Sequence, residues 1–247
     1  MRKLSERLQV MADNTMGSKT VADVGSDHGF LSINLMEEGL SERVIVTDVS
    51  RHSLDKAVAN CREELADVSS IEFRCGDGLT VLGRGEADAV VIGGMGGRLI
   101  RDIMALDLEH ACSFRKFVLQ PRIGQGRLRN WLCEKGFQIV REDVVKEGRY
   151  IPEIITAISP EFDIDEEPLN YGIDLSELDG DDIICKVPPW IIKAHGPVLG
   201  FLYKNIERES NTLNNVQMSK IRYQVYEEKL RSNIKYLEEL VKEMKNG

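Results

Sequence analysis

The chain has 247 residues, of which 42% are hydrophobic and 30% charged, and its 41 acidic and 32 basic side chains give a formal net charge of −9 at pH 7. This composition is ordinary for a globular protein and excludes a disordered chain. No window holds the roughly 18 consecutive apolar residues that a membrane span needs, and the N-terminal residues lack the apolar stretch of a signal peptide. We therefore expect a soluble, cytoplasmic protein that has no membrane partner.

The five cysteines and four histidines indicate neither a disulfide framework nor a metal site. The cysteines are widely scattered, at Cys61, Cys75, Cys112, Cys133 and Cys185, and none belongs to a C-x-x-C pair. No histidine stands within ligand spacing of a second histidine or of a cysteine. We predict reduced thiols and no bound metal.

The negative charge is concentrated in one segment of the chain. Residues 159–185 contain 10 acidic and no basic side chains, whereas residues 1–158 contain 24 acidic and 21 basic ones. We interpret 159–187 as an acidic connecting segment, either a solvated linker or an acidic face, between a domain at 1–158 and a second domain at 188–247.

Strand and helix signals alternate along the first domain. Short β-branched runs predict strands at 20–24, 43–48, 71–75, 87–92 and 116–119, and helical patterns follow at 30–40, 50–66, 98–106 and 126–134. This alternation is typical of an α/β fold with a doubly wound parallel sheet. The last two predicted strands, 137–145 and 153–158, have no helix between them, so we expect an antiparallel pair at one edge.

The C-terminal residues predict an α-helical hairpin that resembles a coiled coil. After Pro188-Pro189, apolar residues recur at helical spacing through Leu213, and from Tyr223 to Met244 they follow nearly a heptad seam. Asn211-Thr212 and Asn214-Asn215 are the predicted turn. The hairpin is interpreted as a structural element, with partner binding or RNA gripping as the alternative.

The turn after the first strand, Asp23-Val24-Gly25-Ser26-Asp27-His28-Gly29, indicates a small-molecule site. Glycine there allows a ligand to approach the backbone, and a helix N-terminus follows. The dinucleotide fingerprint G-x-G-x-x-G is absent, since Asp23 stands at its first glycine position. A carboxylate here suits a ligand with a positive amino-acid group, such as S-adenosylmethionine, better than a pyrophosphate.

Carboxylates follow the next two strands. Asp48 lies close to the expected spacing for an acceptor of ribose hydroxyls, and Asp77 could accept from an adenine amino group. Each alone is no more than a common helix cap, but together they predict one site at the carboxyl edge of the sheet. The predicted cofactor-binding residues are Asp23, Gly25, Ser26, Asp48, Val49, Asp77, Gly78, Gly93, Gly94 and Met95.

The fourth strand ends in Gly93-Gly94-Met95-Gly96-Gly97, a loop with little steric bulk in which a cofactor and a substrate base could both approach the backbone. Exocyclic-amine methyltransferases carry Asn/Asp-Pro-Pro-aromatic at this point. The absence of that motif argues against methylation at adenine N6.

Several of these motifs resemble one family. The chain resembles the bacterial tRNA adenine-N1 methyltransferases that modify position 22. The motifs that carry this resemblance are Leu4-Ser5-Glu6-Arg7-Leu8, Asp23-Val24-Gly25-Ser26-Asp27-His28, Gly76-Asp77-Gly78-Leu79, Gly85-Glu86-Ala87-Asp88, Gly93-Gly94-Met95-Gly96-Gly97 and Leu119-Gln120-Pro121. The resemblance covers about residues 1–158, and the hairpin matches the family's coiled-coil appendage in length and place. The chain departs from the family pattern at Gly29-Phe30-Leu31-Ser32 and at Arg122.

The resemblance implies a Rossmann-like fold, S-adenosylmethionine as cofactor and tRNA as partner. Asp27 and His28 are the candidate catalytic groups, because an acceptor is needed for the N6 amino group once N1 is methylated; helix capping and packing are the structural alternatives. Candidate RNA contacts are Arg7, Gln120, Arg122, Arg127 and Arg129, or else these arginines are merely surface residues.

Two other functions stay open from the sequence. The first is a methyltransferase for a small molecule or a protein, in which the hairpin serves dimerisation. The second is a non-catalytic cofactor-binding scaffold, which would leave the open glycine loop unexplained. We expect a monomer or a weak dimer.

Overall fold

The computed structural model describes residues 4–164, 167–170, 172–219 and 224–246. Within them the central element is a seven-stranded sheet with the strand order β3-β2-β1-β4-β5-β7-β6. Its strands are β1 (Thr20–Val24), β2 (Arg43–Asp48), β3 (Ile71–Cys75), β4 (Ala89–Met95), β5 (Lys116–Pro121), β6 (Gln138–Val144) and β7 (Glu153–Ile158). The Rossmann-like, doubly wound α/β fold predicted from the sequence is confirmed.

The sheet is parallel through β5 and antiparallel beyond it. β7 pairs antiparallel with both β5 and β6, so it lies between them, and β6 forms the edge. The predicted antiparallel pair at one edge is therefore confirmed. The chain reaches this arrangement because a short hairpin can join β6 and β7, whereas a parallel strand would need a long crossover.

Helices cover both faces of the sheet. They are α1 (Glu6–Asp13), α2 (Phe30–Glu37), α3 (Arg51–Glu64), α4 (Gly97–Ala105), α5 (Leu108–Cys112) and α6 (Gln125–Glu134). Successive strand residues point to opposite faces. Val90 and Ile92 pack with α4 and α6 on one face, while Ala89 and Val91 pack with α1, α2 and α3 on the other.

Two predicted elements have an end that differs from the structure by three residues. The helix expected at 30–40 ends at Glu37, and the strand expected at 87–92 runs from Ala89 to Met95. β4 extends beyond the apolar run because Gly93 pairs with Gln120 and Met95 with Pro121 of β5. The glycine loop thus begins inside the sheet.

The acidic segment is packed against the sheet domain rather than running free in solvent. Leu175 and Cys185 are fully buried in the core cluster that includes α6, and Asn130 of α6 donates to the carbonyls of Leu175 and Leu178 at 2.6 and 2.9 Å. The solvated-linker interpretation is therefore wrong for these residues. Apolar side chains alternate here with acidic ones, so the segment buries one side and exposes the other.

The C-terminal hairpin consists of α8 (Val198–Met218) and α9 (Gln224–Asn246), preceded by the short α7 (Ile183–Lys186) and a 3₁₀ turn at Pro189–Lys193. The helices run antiparallel, because Glu209 accepts from Asn233 at 2.9 Å and the Lys245 ammonium lies over the Tyr203 ring at 5.5 Å. Val144 of β6 shares the core of the hairpin. No helix among the described residues is long and apolar enough to cross a membrane.

The predicted position of the hairpin turn is wrong. α8 continues without interruption through Asn211-Thr212 and Asn214-Asn215 and ends at Met218. Asparagine weakens a helix by well under about 1 kcal/mol per residue, so these residues do not interrupt α8. Tyr223, the first residue of the predicted seam, lies outside the described residues.

Candidate active site and adjoining groove

The turn after β1 is built around a glycine in a left-handed conformation. Gly25 has φ +72°, and its N–H donates to the Thr47 carbonyl of β2 at 2.8 Å. A Cβ at Gly25 would overlap the Cε of Met95, so the turn and the glycine loop after β4 lie in direct contact. The positive φ favours glycine here, and the missing Cβ leaves room for the Met95 side chain.

Asp23, near the end of β1, stabilises the turn through its buried carboxylate. It is buried, and its Oδ2 accepts hydrogen bonds from the hydroxyls of Ser26 at 2.7 Å and Ser32 at 2.8 Å. Burial raises the pKa of Asp23 above its ordinary value, although the two hydroxyls act in the opposite direction. Its Oδ1 accepts no hydrogen bond from the described residues, so a carboxylate oxygen remains for a ligand.

The two downstream carboxylates lie at the same edge of the sheet. Asp48 at the end of β2 accepts from the Ser50 N–H at 2.7 Å and from the Asp27 N–H at 3.3 Å. Asp77 begins the 3₁₀ turn Gly78–Val81, and its exposed carboxylate accepts no hydrogen bond from the described residues. The Gly76 N–H donates to the Asp48 carbonyl at 3.0 Å, which ties the two strand ends together.

Val49 lies between these carboxylates in sequence and is 71% exposed. The thiol of Cys75 donates to its carbonyl at 3.8 Å. Gly78 has φ +53°, and a Cβ there would come within 2.8 Å of Ile103. An exposed apolar side chain beside open carboxylates can cover the flat face of a base while the carboxylates accept from hydroxyl and amino groups.

The glycine loop after β4 is packed at both of its ends. A Cβ at Gly93 would come within 2.5 Å of Met11 Cε on α1, and one at Gly97 within 2.7 Å of the Gly124 carbonyl. Gly94 has φ +75°, and a Cβ there would meet no atom within 4 Å, so its outer side is open. The loop therefore has a fixed backbone and one free side.

Asp27 and His28 project into solvent beside the turn. Asp27 has φ +53°, a left-handed conformation that no other non-glycine residue adopts among those described. Their side chains are 61% and 46% exposed, and Asp27 Oδ2 lies 3.3 Å from His28 Nε2. The imidazole stacks on Phe30, with 5.4 Å between ring centroids, which is a packing contact at the surface. Neither side chain caps the following helix, whose N-cap is Gly29, so the capping alternative is not supported.

A groove of about 1220 Å³ runs from the end of β5 to α8. Its basic lining residues are Arg7, Arg122, Arg127, Lys186, Lys204 and Arg208, and its acidic ones are Glu147, Glu153, Asp181, Glu207 and Glu209. The glycine loop adjoins its floor, because the Arg122 N–H donates to the Met95 carbonyl at 2.7 Å and the Gly97 N–H to the Ile123 carbonyl at 2.8 Å.

The predicted RNA-contacting residues have different surroundings. Arg122 is exposed, and its guanidinium has no partner among the described residues. Arg127 is also exposed but pairs with Asp181 of the acidic segment. Gln120 is buried below the groove and, with Arg7, belongs to a network of side chains. These four residues line the groove.

Arg129 is not an RNA contact, and that prediction is wrong. Its side chain is 0% exposed and bonds Glu142 at 2.6 Å and Glu153 at 2.7 Å. The Trp190 indole N–H also donates to Glu142, at 2.9 Å. Arg129 instead joins α6 to β6, β7 and the residues that lead to the hairpin.

The far wall of the groove was not predicted from the sequence. Lys204 and Arg208 stand four residues apart on α8 and so share one face of the helix. Lys204 donates to the Arg149 carbonyl in the β6–β7 loop at 2.6 Å. The spacing of Lys204 and Arg208 is visible in the sequence, but only the structure shows that this face of α8 lines the same groove as Arg122. Ser32, the second hydroxyl on Asp23, was missed for the same reason.

The described residues contain no group of three or more His, Cys, Asp or Glu side chains that could hold a metal ion.

Comparison with known proteins agrees with this geometry. The methyltransferase domain family matches residues 4–155. The tRNA (adenine(22)-N(1))-methyltransferase of Bacillus subtilis strain 168 is 31% identical over 155 residues, which are 63% of this chain and 65% of that protein, so the aligned region spans slightly less than two thirds of that relative.

Two solved structures share nearly the whole fold, including the C-terminal hairpin. The crystal structure of the B. subtilis m1A22 tRNA methyltransferase TrmK has a TM-score of 0.77 and 25% identity, and the match covers 97% of this chain and 99% of that one. A protein of the NADB-Rossmann superfamily from Streptococcus agalactiae has a TM-score of 0.78 and 26% identity, with 97% and 98% covered. The family match over residues 4–155, the strand order and the turn after β1 lead to one conclusion: the chain belongs to the methyltransferase domain family.

Proposed function

We propose that the protein transfers a methyl group from S-adenosylmethionine to N1 of an adenosine in tRNA, at position 22. The observation that carries this proposal is the groove, which adjoins the open glycine loop beside the cofactor-type turn and is lined by basic side chains of α8. The 31% identity with the B. subtilis enzyme supports the choice of adenine N1 and of position 22. A cytoplasmic location and a monomer or weak dimer belong to the same proposal.

The residues around the turn fit S-adenosylmethionine. Asp48 and Asp77 offer carboxylate oxygens to the ribose hydroxyls and the adenine amino group, and Val49 offers an apolar surface to the adenine ring. Asp23 Oδ1 offers a negative partner for the ammonium. Gly25, Ser26, Gly78, Gly93, Gly94 and Met95 complete the predicted binding residues.

When bound, S-adenosylmethionine supplies an activated methyl group, so the protein has to align a nucleophile and exclude water. Adenine N1 carries its own lone pair and needs no base before attack. The N6 amino group becomes more acidic after methylation. Asp27 or His28 is the proposed acceptor for its proton, because both project into solvent beside the turn.

The groove is the proposed tRNA-binding surface. An adenine in a base-paired arm must leave its stack before N1 is reachable, at a cost of a few kcal/mol. Phosphate contacts from Arg122, Arg127, Lys204 and Arg208 on the two walls would offset that cost. In this arrangement residues 1–158 are the methyltransferase domain, 159–187 the connecting segment and 188–247 the helical domain.

The experiment is methyl transfer from labelled S-adenosylmethionine to unmodified tRNA transcripts that contain A22, with A22→G transcripts as the matched control. We expect label in 1-methyladenosine at position 22 and none in the control. Label only in small molecules or proteins would support a methyltransferase for those substrates, with the hairpin as a dimerisation element, and no transfer at all would favour the non-catalytic scaffold.

The cofactor assignment has its own test. Calorimetric titration of S-adenosylmethionine into Asp48→Asn and Asp77→Asn measures affinity without RNA. We expect each variant to bind about 10-fold more weakly, because each loses a charge-assisted hydrogen bond. Unchanged affinity in both variants would contradict the placement of the cofactor.

A further inference from the structure

Gln120 is buried at the end of β5, between the groove and the glycine loop, and all its polar atoms are used. It is 3% exposed. Its Oε1 accepts from the Gly94 N–H at 3.1 Å and from Arg7 Nη1 at 3.1 Å, and its Nε2 donates to the Pro121 carbonyl at 3.1 Å. Both polar atoms of the amide are engaged, and the burial of the side chain keeps the second Nε2 N–H away from an RNA in the groove.

Arg7 extends this contact to the rim of the groove. Its guanidinium donates to Gln120 through Nη1 and to Glu147 of the β6–β7 loop through Nε, the latter at 3.4 Å. Two partners on different sides of a planar fork fix the orientation of the Arg7 side chain. Hydrogen bonds therefore form one chain, which runs from Glu147 through Arg7 and Gln120 to the Gly94 N–H.

The last member of this hydrogen-bonded chain lies in the loop that separates the turn from the groove. Gly94 has φ +75°, in the left-handed region, and its N–H points at the Gln120 oxygen. Its neighbour Met95 contacts the turn at Gly25 on one side and accepts from the Arg122 N–H on the other. The Gln120 oxygen thus fixes the backbone at the place where a methyl donor and its acceptor would meet.

We propose that Gln120 and Arg7 are positioning residues for methyl transfer: they hold the Gly94 N–H and with it the glycine loop, and neither acts by binding RNA. This inference rests on the proposed function and reassigns two side chains that the sequence placed among the RNA contacts. A misplacement of reacting groups by about 1 Å can lower a rate about 100-fold, so the expected effect is on turnover.

The first test is Gln120→Met, which keeps the size of the side chain and removes the acceptor. We expect kcat for methylation of tRNA to fall about 10- to 100-fold, while the affinities for tRNA and S-adenosylmethionine stay close to those of the wild type. Gln120→Glu keeps an oxygen acceptor, and we expect it to retain more activity than Gln120→Met. Wild-type kcat in Gln120→Met would overturn the proposal.

The second test is Arg7→Lys, which keeps the positive charge but cannot reach Gln120 and Glu147 together. We expect a lower kcat and an unchanged salt dependence of tRNA binding, whereas a phosphate contact would leave kcat at saturating tRNA unaltered. Arg84→Lys is the matched control, because Arg84 also bonds one carboxylate, on Glu109 at 3.1 Å, and does not line the groove.

A third measurement does not depend on the substrate. Hydrogen exchange at the Gly94 amide should be faster in Gln120→Met than in the wild type, because that amide loses its acceptor. Equal exchange rates would overturn the proposal even if activity fell. If the wild type did not methylate tRNA, the proposed function would fail, while this exchange difference would still report on the contact between Gln120 and Gly94.

Discussion

At the scale of single residues, Asp27 combines an unusual backbone conformation with an exposed carboxylate next to an imidazole. A left-handed conformation is costly for most L-residues but tolerated by Asp, Asn and Gly. Such outliers concentrate at functional sites. The conformation brings the Asp27 N–H onto Asp48, so one residue serves both the turn and the solvent-facing side of the site.

We expect Asp27→Asn to fold normally, because asparagine tolerates the left-handed region, and to lower turnover by about 100-fold if Asp27 accepts the N6 proton. The pH dependence of kcat is the measurement that separates this role from simple positioning. His28→Ala is the companion variant. If both variants kept wild-type turnover and the same pH profile, neither residue would take part in proton transfer.

Arg129 makes a second prediction at this scale. Removal of one partner from a buried ion pair leaves an uncompensated charge and typically destabilises a protein by about 3–5 kcal/mol. We expect that loss in the free energy of unfolding of Arg129→Met, measured by denaturant titration, since Glu142 and Glu153 lie buried beside it. Arg127→Met is the matched control, because its pair with Asp181 is exposed to solvent, where ion pairs contribute little to stability.

At the scale of elements, the two walls of the groove come from distant parts of the chain. Arg122 follows β5, whereas Lys204 and Arg208 belong to α8. The contact between Lys204 and the β6–β7 loop joins the walls at one end. The hairpin is therefore part of the groove as well as a structural element.

Arg122→Ala tests the groove as a polyanion surface. The salt dependence of tRNA binding should decrease by about one unit of slope, because one phosphate contact disappears. Arg84→Ala, which removes an arginine outside the groove, should leave the slope unchanged. An unaltered slope in Arg122→Ala would mean that this arginine is ordinary surface.

The sequence predicted elements better than it predicted directions of side chains. Apolar β-branched runs identified the strands because burial on both faces requires them. The insertion of β7 between β5 and β6 depends on pairing between distant segments, which no local pattern encodes. Arg127 and Arg129 stand two apart on α6 and so point about 200° apart, which is why one of these two predicted RNA contacts lines the groove and the other is buried.

The candidate site was predicted where backbone and strand ends decide it. Gly25, Asp48 and Asp77 follow successive strands, and parallel strands bring their carboxyl ends together. The partners of Gln120 could not be predicted from the sequence, because Arg7 lies 113 positions away along the chain.

At the scale of the whole molecule, two buried thiols link stability to pH. Burial raises the pKa of Cys61 and Cys185 to about 11 from 9.0. Above pH 9 the unfolded chain loses these protons while the folded protein keeps them, so stability falls between about pH 9 and pH 11. Denaturant titrations across that range should show the fall, and Cys61→Ala with Cys185→Ala should reduce it.

The pair between Arg127 and Asp181 has a consequence for how RNA leaves the protein. A phosphate that binds Arg127 must first displace the Asp181 carboxylate of the same chain. Binding at Arg127 therefore exchanges one anion for another. The tethered carboxylate remains nearby and can return to the guanidinium when the phosphate departs. We expect Asp181→Asn to slow the dissociation of methylated tRNA, measured by stopped flow, and a wild-type rate would contradict the exchange. The acidic segment, which accounts for the net negative charge of the protein, would then compete with the tRNA phosphate for Arg127 and speed product release.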